Sequence, residues 1–490
     1  MTQAVTGGGF GGKEEYPTLV ALHALLLARK AGRPVKLVYG RQEDVEASTK
    51  RHPSRVEIAS GQDRDGTVRA VSVRVLFDGG AYVTLTPVVL SRGALHACGA
   101  YRWEDVTVEA VAVATNTPPN GAFRGFGAPQ TVWAIERHLD RVARTLGVDP
   151  VTLKRKNLLR LGDTTATGQT LKESVGVEEC VEKAMAASGY VEKRERGPVV
   201  TGRTARGVGA AIFLHGAGFT GSGEKYLKGK VAVDLLPGGR ARVRTGSTDI
   251  GQGTETVFRQ IAADGLGIGV EDVDFAVPST ANVPDSGPTV ASRTVMVVGS
   301  IVEAAAKELR ARLEAEEKAH GATRSAAWER LAADPARATS LVQYEPPPGV
   351  VWDDATYSGD AYPAYGWACD VAEVEVDLDT FETKVTGFWA AVDVGRVINP
   401  TLCAGQVEGG TLQAIGWALT EKLVTKDGKI LNPRMTNYIV PTSLDAPPFE
   451  TTLVEAAYSR GPGGAKGVGE LPMDGGAPAV AAAIEHATGL

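Results

Sequence analysis

The sequence predicts an α+β fold in two domains, and three observations lead to that reading. The chain has 490 residues, more than one hydrophobic core serves, so two to three domains are expected. Strand-like and helix-like periodicities are interspersed without regular βαβ alternation, which favours α+β over a doubly wound sheet. The 59 glycines follow no repeat but cluster in runs at Gly7–Gly12, Gly216–Gly223 and Gly461–Gly469. Backbone there can approach a neighbour closely, because no Cβ intervenes. A linker-like stretch at Arg160–Gln169 places the domain boundary between 1–165 and 166–490.

In the first part, a short strand and the first glycine run lead into a helix at Pro17–Ala31. Proline near its start and Gly32 past its end punctuate it. Val56–Ser60, Val68–Phe77 and Val106–Ala114 alternate as strands. Helices follow at Gln130–Leu146 and Pro150–Leu159. In the second part, Lys228–Asp234 and Arg240–Gly246 form a hairpin around Pro237-Gly238-Gly239. Helices are expected at Glu255–Leu266 and Val290–Ala319, with the charged stretch Glu314–Arg337 as a solvated helical face and loop. Strands at Ala368–Val376 and Lys384–Val392 precede helices at Gly409–Leu423 and Pro478–Thr488.

Composition excludes several classes of function. The net charge is −6 with no concentrated basic stripe, which argues against nucleic acid as a partner. Cys98, Cys180, Cys369 and Cys403 are far apart and form no CxxC pair, so neither a disulfide framework nor a zinc or iron–sulfur site follows on this chain. A reducing cytoplasm fits. Met1–Thr6 lacks the character of a signal peptide. The longest apolar run, Leu19–Leu27, carries His23 and is too short to span a bilayer, so no membrane association is expected.

Several motifs carry chemistry. Gly7-Gly8-Gly9-Phe10-Gly11-Gly12-Lys13 has the spacing of a phosphate-binding loop, but Glu14 stands where that loop needs Ser or Thr for magnesium, which weakens a nucleotide-binding reading. A structural glycine turn is the simpler alternative. Gly251-Gln252-Gly253 and Gly405-Gln406-Val407-Glu408-Gly409 are each expected just before a helix, where free N–H groups and the positive dipole end suit a phosphorylated cofactor. Ser286–Ser292 supplies a third small-residue helix start. Each alone is more often an ordinary cap; their co-occurrence is the signal. Ala122-Phe123-Arg124-Gly125-Phe126-Gly127 sets an arginine between aromatics, with core packing as the plain alternative. Gly467-Val468-Gly469-Glu470 puts a carboxylate on a glycine-walled loop, where a dry pocket would raise its pKa and suit it as a general base.

In this order GGGFGGKE, AFRGFG, GQG, PTVAS, GQVEG and GVGELP resemble the molybdopterin subunit of xanthine dehydrogenases and aldehyde oxidases across nearly the whole chain. Leu471 stands where many members have proline. The resemblance implies two mixed α/β cofactor-binding domains with the cofactor at their interface. A pterin-held molybdenum, often the cytosine dinucleotide form, would supply the activated oxygen and accept two electrons. It implies Glu470 as the base, Phe10, Gly11, Arg124 and Ala291 beside the molybdenum, and Gly251, Gln252, Gly253, Ser292, Thr294 and Gln406 at the pterin or its phosphate.

Purine-hydroxylating members carry an acidic residue, an arginine and two ring-sandwiching phenylalanines, matched here by Glu14, Arg92, Phe126 and Phe219 beside Thr220. Hypoxanthine or xanthine is thereby favoured; aldehyde or another N-heterocycle is the alternative. The family also has an upstream half of the cofactor domain, expected here from another polypeptide, with 2Fe-2S and FAD on partner subunits. A truncated, catalytically silent fragment is the remaining alternative.

Overall fold

The structure is a computed structural model describing residues 1–490. Three sheets organise it. In the first, Ser54–Gln62 runs antiparallel to Val68–Gly80, which runs parallel to Asp105–Ala114. Val71, Val73, Val75 and Phe77 are buried on one face of the central strand, the period-2 pattern of a sheet covered on one side. Helices Thr86–His96 and Ala128–Leu146 pack on one another nearby. The longer one buries Val132, Ile135, Leu139 and Val142 at helical spacing.

The second sheet has five strands in the order Phe449–Val454, Thr383–Asp393, Ala364–Asp377, Thr204–Ala217, Val199–Thr201. All neighbours are antiparallel except the first pair. The C-terminal helix Gly476–Thr488 lies on Thr204–Ala217 so closely that a Cβ on Gly209 would sit 2.2 Å from the Ala483 nitrogen. Glycine there is a packing requirement. The third sheet, Val273–Phe275, Arg240–Arg244, Lys230–Leu236 and Thr339–Gln343, forms its own core with helices Thr254–Leu266, Gly299–His320 and Arg324–Ala332. Val177, Cys180 and Val181 share one core with Val73, Phe77 and Leu139, so apolar packing is continuous across residue 165.

Most expected elements form within a few residues of their predicted ends; Gly32 caps its helix with left-handed backbone as expected, and Gly147 does the same for Ala128–Leu146. Three differ. No strand precedes the first glycine run: Thr2 makes an isolated bridge to Ser279, and the terminus is held by Gln3 N–H to the Pro278 carbonyl at 2.9 Å. The helix expected from Val290 begins with a π turn at Thr294, because Ala291 and Ser292 take left-handed φ of 58° and 52°. The helix expected from Gly409 starts at Pro400, where Asn399 caps it by accepting from Leu402 N–H at 3.0 Å. The glycines of GQVEG therefore lie inside the helix. The charged stretch is helix and loop as expected, but Glu316 within it is buried and paired with Arg337 at 2.5 Å.

Helix Tyr16–Ala31 buries none of its residues, and Leu19, Leu22, Leu25, Leu26 and Leu27 are all exposed. No helix of the chain is long and apolar enough to cross a membrane.

Candidate active site

The scattered motifs meet around one cavity of about 480 Å³. Phe10, Gly11 and Glu14 of the first glycine run line it, as do Arg124 and Phe126, Gly251 and Gln252, Ala291, Ser292 and Thr294, Gln406, and Glu470. Arg124 ties these segments together. Its backbone N–H donates to the Phe10 carbonyl at 2.8 Å, its Nε to Gly469 O at 2.5 Å, and its Nη2 to Gln406 O at 2.9 Å. Gly410 leaves room for this, since a Cβ there would lie 3.0 Å from the Arg124 guanidinium carbon.

Four expected residues stand off the cavity lining. Gly253 takes left-handed backbone at the helix start, against Leu402. Phe219 and Thr220 follow Gly218, whose N–H donates to Ala291 O at 2.9 Å; Thr220 Oγ1 donates to Tyr362 Oη at 3.1 Å. Arg92 lies behind Glu470 and is only 2% exposed. Gln252 does line the cavity, but its amide is engaged by its own loop, accepting from Ile250 N–H at 2.7 Å and donating to Thr254 Oγ1 at 2.7 Å.

A helix N-terminus other than the expected one faces the cavity: Asn399, Leu402 and Cys403 line it from the first turn of Pro400–Leu419. The phosphate-loop reading fails here. Lys13 is exposed and off the cavity, and the strand that should feed such a loop is missing.

Glu470 is 6% exposed and its two oxygens are used differently. Oε2 accepts from Ser292 Oγ at 3.0 Å and from Arg92 Nη1 at 3.3 Å. Oε1 is buried with no partner. The expectation of a raised pKa is corrected: burial pushes the carboxyl up, but the Arg92 charge and the Ser292 hydroxyl favour the ionised form, and it is held below the ordinary glutamate value. Glu14 takes the opposite course. Burial, then the nearby Glu470 and Glu15 charges, raise it to about 8 against the pull of Arg92. One cavity thus holds an ionised carboxylate and a protonated one at neutral pH.

Sequence reasoning missed the groups that hold this arrangement. His215 Nδ1 donates to Asp474 Oδ2 at 2.7 Å. Asp474 draws the His215 pKa upward against burial, yet Arg92 Nη1 lies 2.6 Å from Nε2 and can only donate to it. The contact therefore fixes a neutral imidazole. Lys466 and Asp393, both fully buried, pair at 2.6 Å, and Lys466 also donates to Tyr365 O at 2.9 Å, pinning the loop that carries Glu470. Arg293 and Glu224 form a second buried pair at 2.8 Å beneath Ala291 and Ser292. Their shared signal is a charged or imidazole side chain inside an apolar or glycine-rich run, as in AAIFLHGAG and GAKGVGE. Lys466→Met leaves the Asp393 carboxylate buried and unpaired. It is expected to lower unfolding free energy by roughly 3–5 kcal/mol, measured by denaturant titration.

Two family models, each described as a molybdopterin cofactor-binding domain, match residues 1–158 and 183–447. The chain belongs to the molybdopterin-binding family of xanthine dehydrogenases and aldehyde oxidoreductases. It is 31% identical over 514 residues to the xanthine dehydrogenase molybdenum-binding subunit of Escherichia coli O157:H7, covering 100% of this chain and 67% of that protein. In structure it is similar to the aldehyde oxidoreductase of Desulfovibrio desulfuricans, with a TM-score of 0.89, 28% identity, and coverage of 100% of this chain and 52% of that one. It is also similar to quinoline 2-oxidoreductase of Pseudomonas putida, with a TM-score of 0.84, 30% identity, and coverage of 99% and 65%. The chain thus spans between about half and two thirds of these relatives' lengths.

The residues present fit a molybdenum–pterin group. A buried carboxylate oxygen without a partner belongs to a residue of the cavity wall, beside a run of lining glycines at Gly7, Gly8, Gly9 and Gly11. Glycine at 467 lets the Glu470 loop pack on Ser292, since a Cβ there would fall 1.7 Å from Ser292 O.

Proposed function

We propose that this chain is the molybdenum-bearing catalytic part of a hydroxylase that oxidises an electron-poor carbon with water as oxygen source, the molybdopterin site lying between units 1–165 and 166–490. The observation that carries the reading is the divided carboxylate of Glu470 at the cavity wall, one oxygen anchored by Ser292 and Arg92 and the other buried without a protein partner. When bound, the molybdenum cofactor supplies an activated oxygen derived from water and a sink for two electrons.

The chain's own residues do the rest. Glu470 Oε1 takes the proton of the attacking oxygen. It is ionised throughout the neutral range, so it needs no prior deprotonation. Phe10, Gly11, Arg124 and Ala291 hold the metal's surroundings. Gly251, Gln252, Ser292, Thr294 and Gln406 hold the pterin and its nucleotide, proposed as the cytosine form. Iron–sulfur and FAD subunits carry the electrons away. We further propose that the exposed leucine face of Tyr16–Ala31 is covered by a polypeptide supplying the other half of the first domain, in a cytoplasmic complex.

For substrate, Glu14 is the informative residue. Protonated below about pH 8, it donates a hydrogen bond to a ring nitrogen or carbonyl of a purine, with Phe126 against the ring. Glu14→Leu is expected to cost purine kcat/KM on the order of 1.5–3 kcal/mol while sparing benzaldehyde, and Glu14→Gln, which keeps a donor, is expected to cost less. Wild-type purine kcat/KM should fall as pH rises through about 8, because Glu14 loses its donor proton there. Steady-state rates on hypoxanthine and benzaldehyde check both. Aldehyde oxidation is the second reading. It is favoured by the likeness to aldehyde oxidoreductase and by the withdrawal of Arg92 from the cavity, and equal losses on the two substrates would support it.

A further inference from the structure

Behind Glu470 lies a line of buried groups that converge on Arg92. Arg92 Nη1 reaches His215 Nε2 at 2.6 Å, Gly216 O at 3.2 Å and Glu470 Oε2 at 3.3 Å, and Nη2 donates to Gly218 O at 2.7 Å. The ring of Tyr362 lies 5.3 Å from its guanidinium carbon. The guanidinium is buried and off the cavity lining. His215 in turn is held by Asp474, one turn past Glu470. His96, one turn beyond Arg92 on the same helix, donates from Nδ1 to Arg92 O at 2.7 Å and accepts Gly216 N–H at 3.1 Å. Helix Thr86–His96, strand Thr204–Ala217 and the Glu470 turn are thereby laced through one arginine.

We propose that Arg92 is a positioning residue, oriented by His215 and Asp474, that fixes Glu470 Oε2 and leaves Oε1 as the oxygen without a protein partner. The proposal rests on Glu470 being the base. A carboxylate held by a charge-assisted bond keeps both its orientation and its ionised form. Without the guanidinium, the largest opposing influence on burial is lost and the balance moves toward the protonated form. The groups facing Glu470 are Arg92, His215 at 3.6 Å, the Ser292 hydroxyl and, through space, Glu14, Arg124 and Asp474. Arg92 is the cation in contact with its oxygens.

The test compares Arg92→Met, His215→Phe and His215→Gln in the molybdenum-loaded complex. Arg92→Met and His215→Phe are expected to lower kcat by roughly 10²-fold on hypoxanthine and benzaldehyde alike, with KM little changed. The acid limb of the kcat profile should move to higher pH. His215→Gln should restore most of the rate, because its amide accepts from Arg92 and donates to Asp474 as the neutral imidazole does. A second readout needs no cofactor: the infrared carboxyl band of Glu470, isolated by subtracting Glu470→Gln. It should be carboxylate throughout about pH 4–8 in the wild type and carry carboxylic acid in Arg92→Met, given an ordinary glutamate pKa near 4.3. If Arg92→Met fails to fold, His215→Phe carries the same test. A rise in purine KM alone, or an infrared band unchanged by loss of Arg92, overturns the proposal. An inactive wild-type complex would sink the hydroxylase reading instead, while the infrared titration would still decide the Arg92–Glu470 pairing.

Discussion

Glu470→Gln is expected to keep its molybdenum and lose roughly 10²-fold or more of its turnover, the scale of general-base loss. The substitution is nearly isosteric, and the amide oxygen can still accept from Ser292 and Arg92 in the place of Oε2. The Oε1 position then carries NH2, which has no lone pair to take a proton. On the proposed reading, cofactor loading falls to Arg124, the first glycine run and the helix starts, which the change leaves alone. Measuring metal content beside kcat separates the two effects. Near-normal turnover in a metal-replete variant would remove Glu470 from the mechanism.

The second large effect concerns the uncovered face. A helix gains most of its stability by burying one side, yet Tyr16–Ala31 exposes five leucines between 48% and 64%. Contiguous apolar surface of that kind marks an interface or an aggregation liability. The chain expressed alone is therefore expected to self-associate and to carry little or no molybdenum, because the loop Gly7–Glu14 that lines the cavity leads directly into this helix. Coexpression with a polypeptide bearing the other half of the domain should restore a discrete complex and its metal. Light scattering with metal analysis checks this. A soluble monomer with near-stoichiometric molybdenum would show that the leucine face needs no cover.

Local patterns made much of the architecture readable. Period-2 alternation marked Val68–Phe77, and a proline near the start with a glycine stop marked Pro17–Ala31. The resemblance of the ordered motifs implied that residues as distant as Phe10 and Glu470 share a site, and both line one cavity. Where reading failed, tertiary packing had overridden local preference. The glycines of GQVEG looked like a helix boundary, but in a helix begun by Asn399-Pro400 they lie within it, and Gly410 beside them makes room for Pro472 and Arg124. The strained backbone of Ala291 and Ser292 delays the helix after them, held from below by Arg293 and Glu224.

The pKa of Glu470 was misjudged because burial is suggested by a glycine-walled loop, whereas a guanidinium 378 positions away in the chain is not. His215 shows in the sequence as an imidazole inside an apolar run, but its pairing with Asp474 does not, because that contact spans 259 positions. The pairing of Arg92 with Glu14 as substrate ligands came from motif order. Motif order says nothing about which way a side chain turns.

The most direct test of the central claim is the molybdenum and pterin content of the purified complex, measured by elemental mass spectrometry together with analysis of the nucleotide released on denaturation. The account predicts close to one molybdenum per chain and a pterin-derived nucleotide, the cytosine form. A well-folded complex with no molybdenum and no pterin, binding ATP or GTP with magnesium instead, would contradict it.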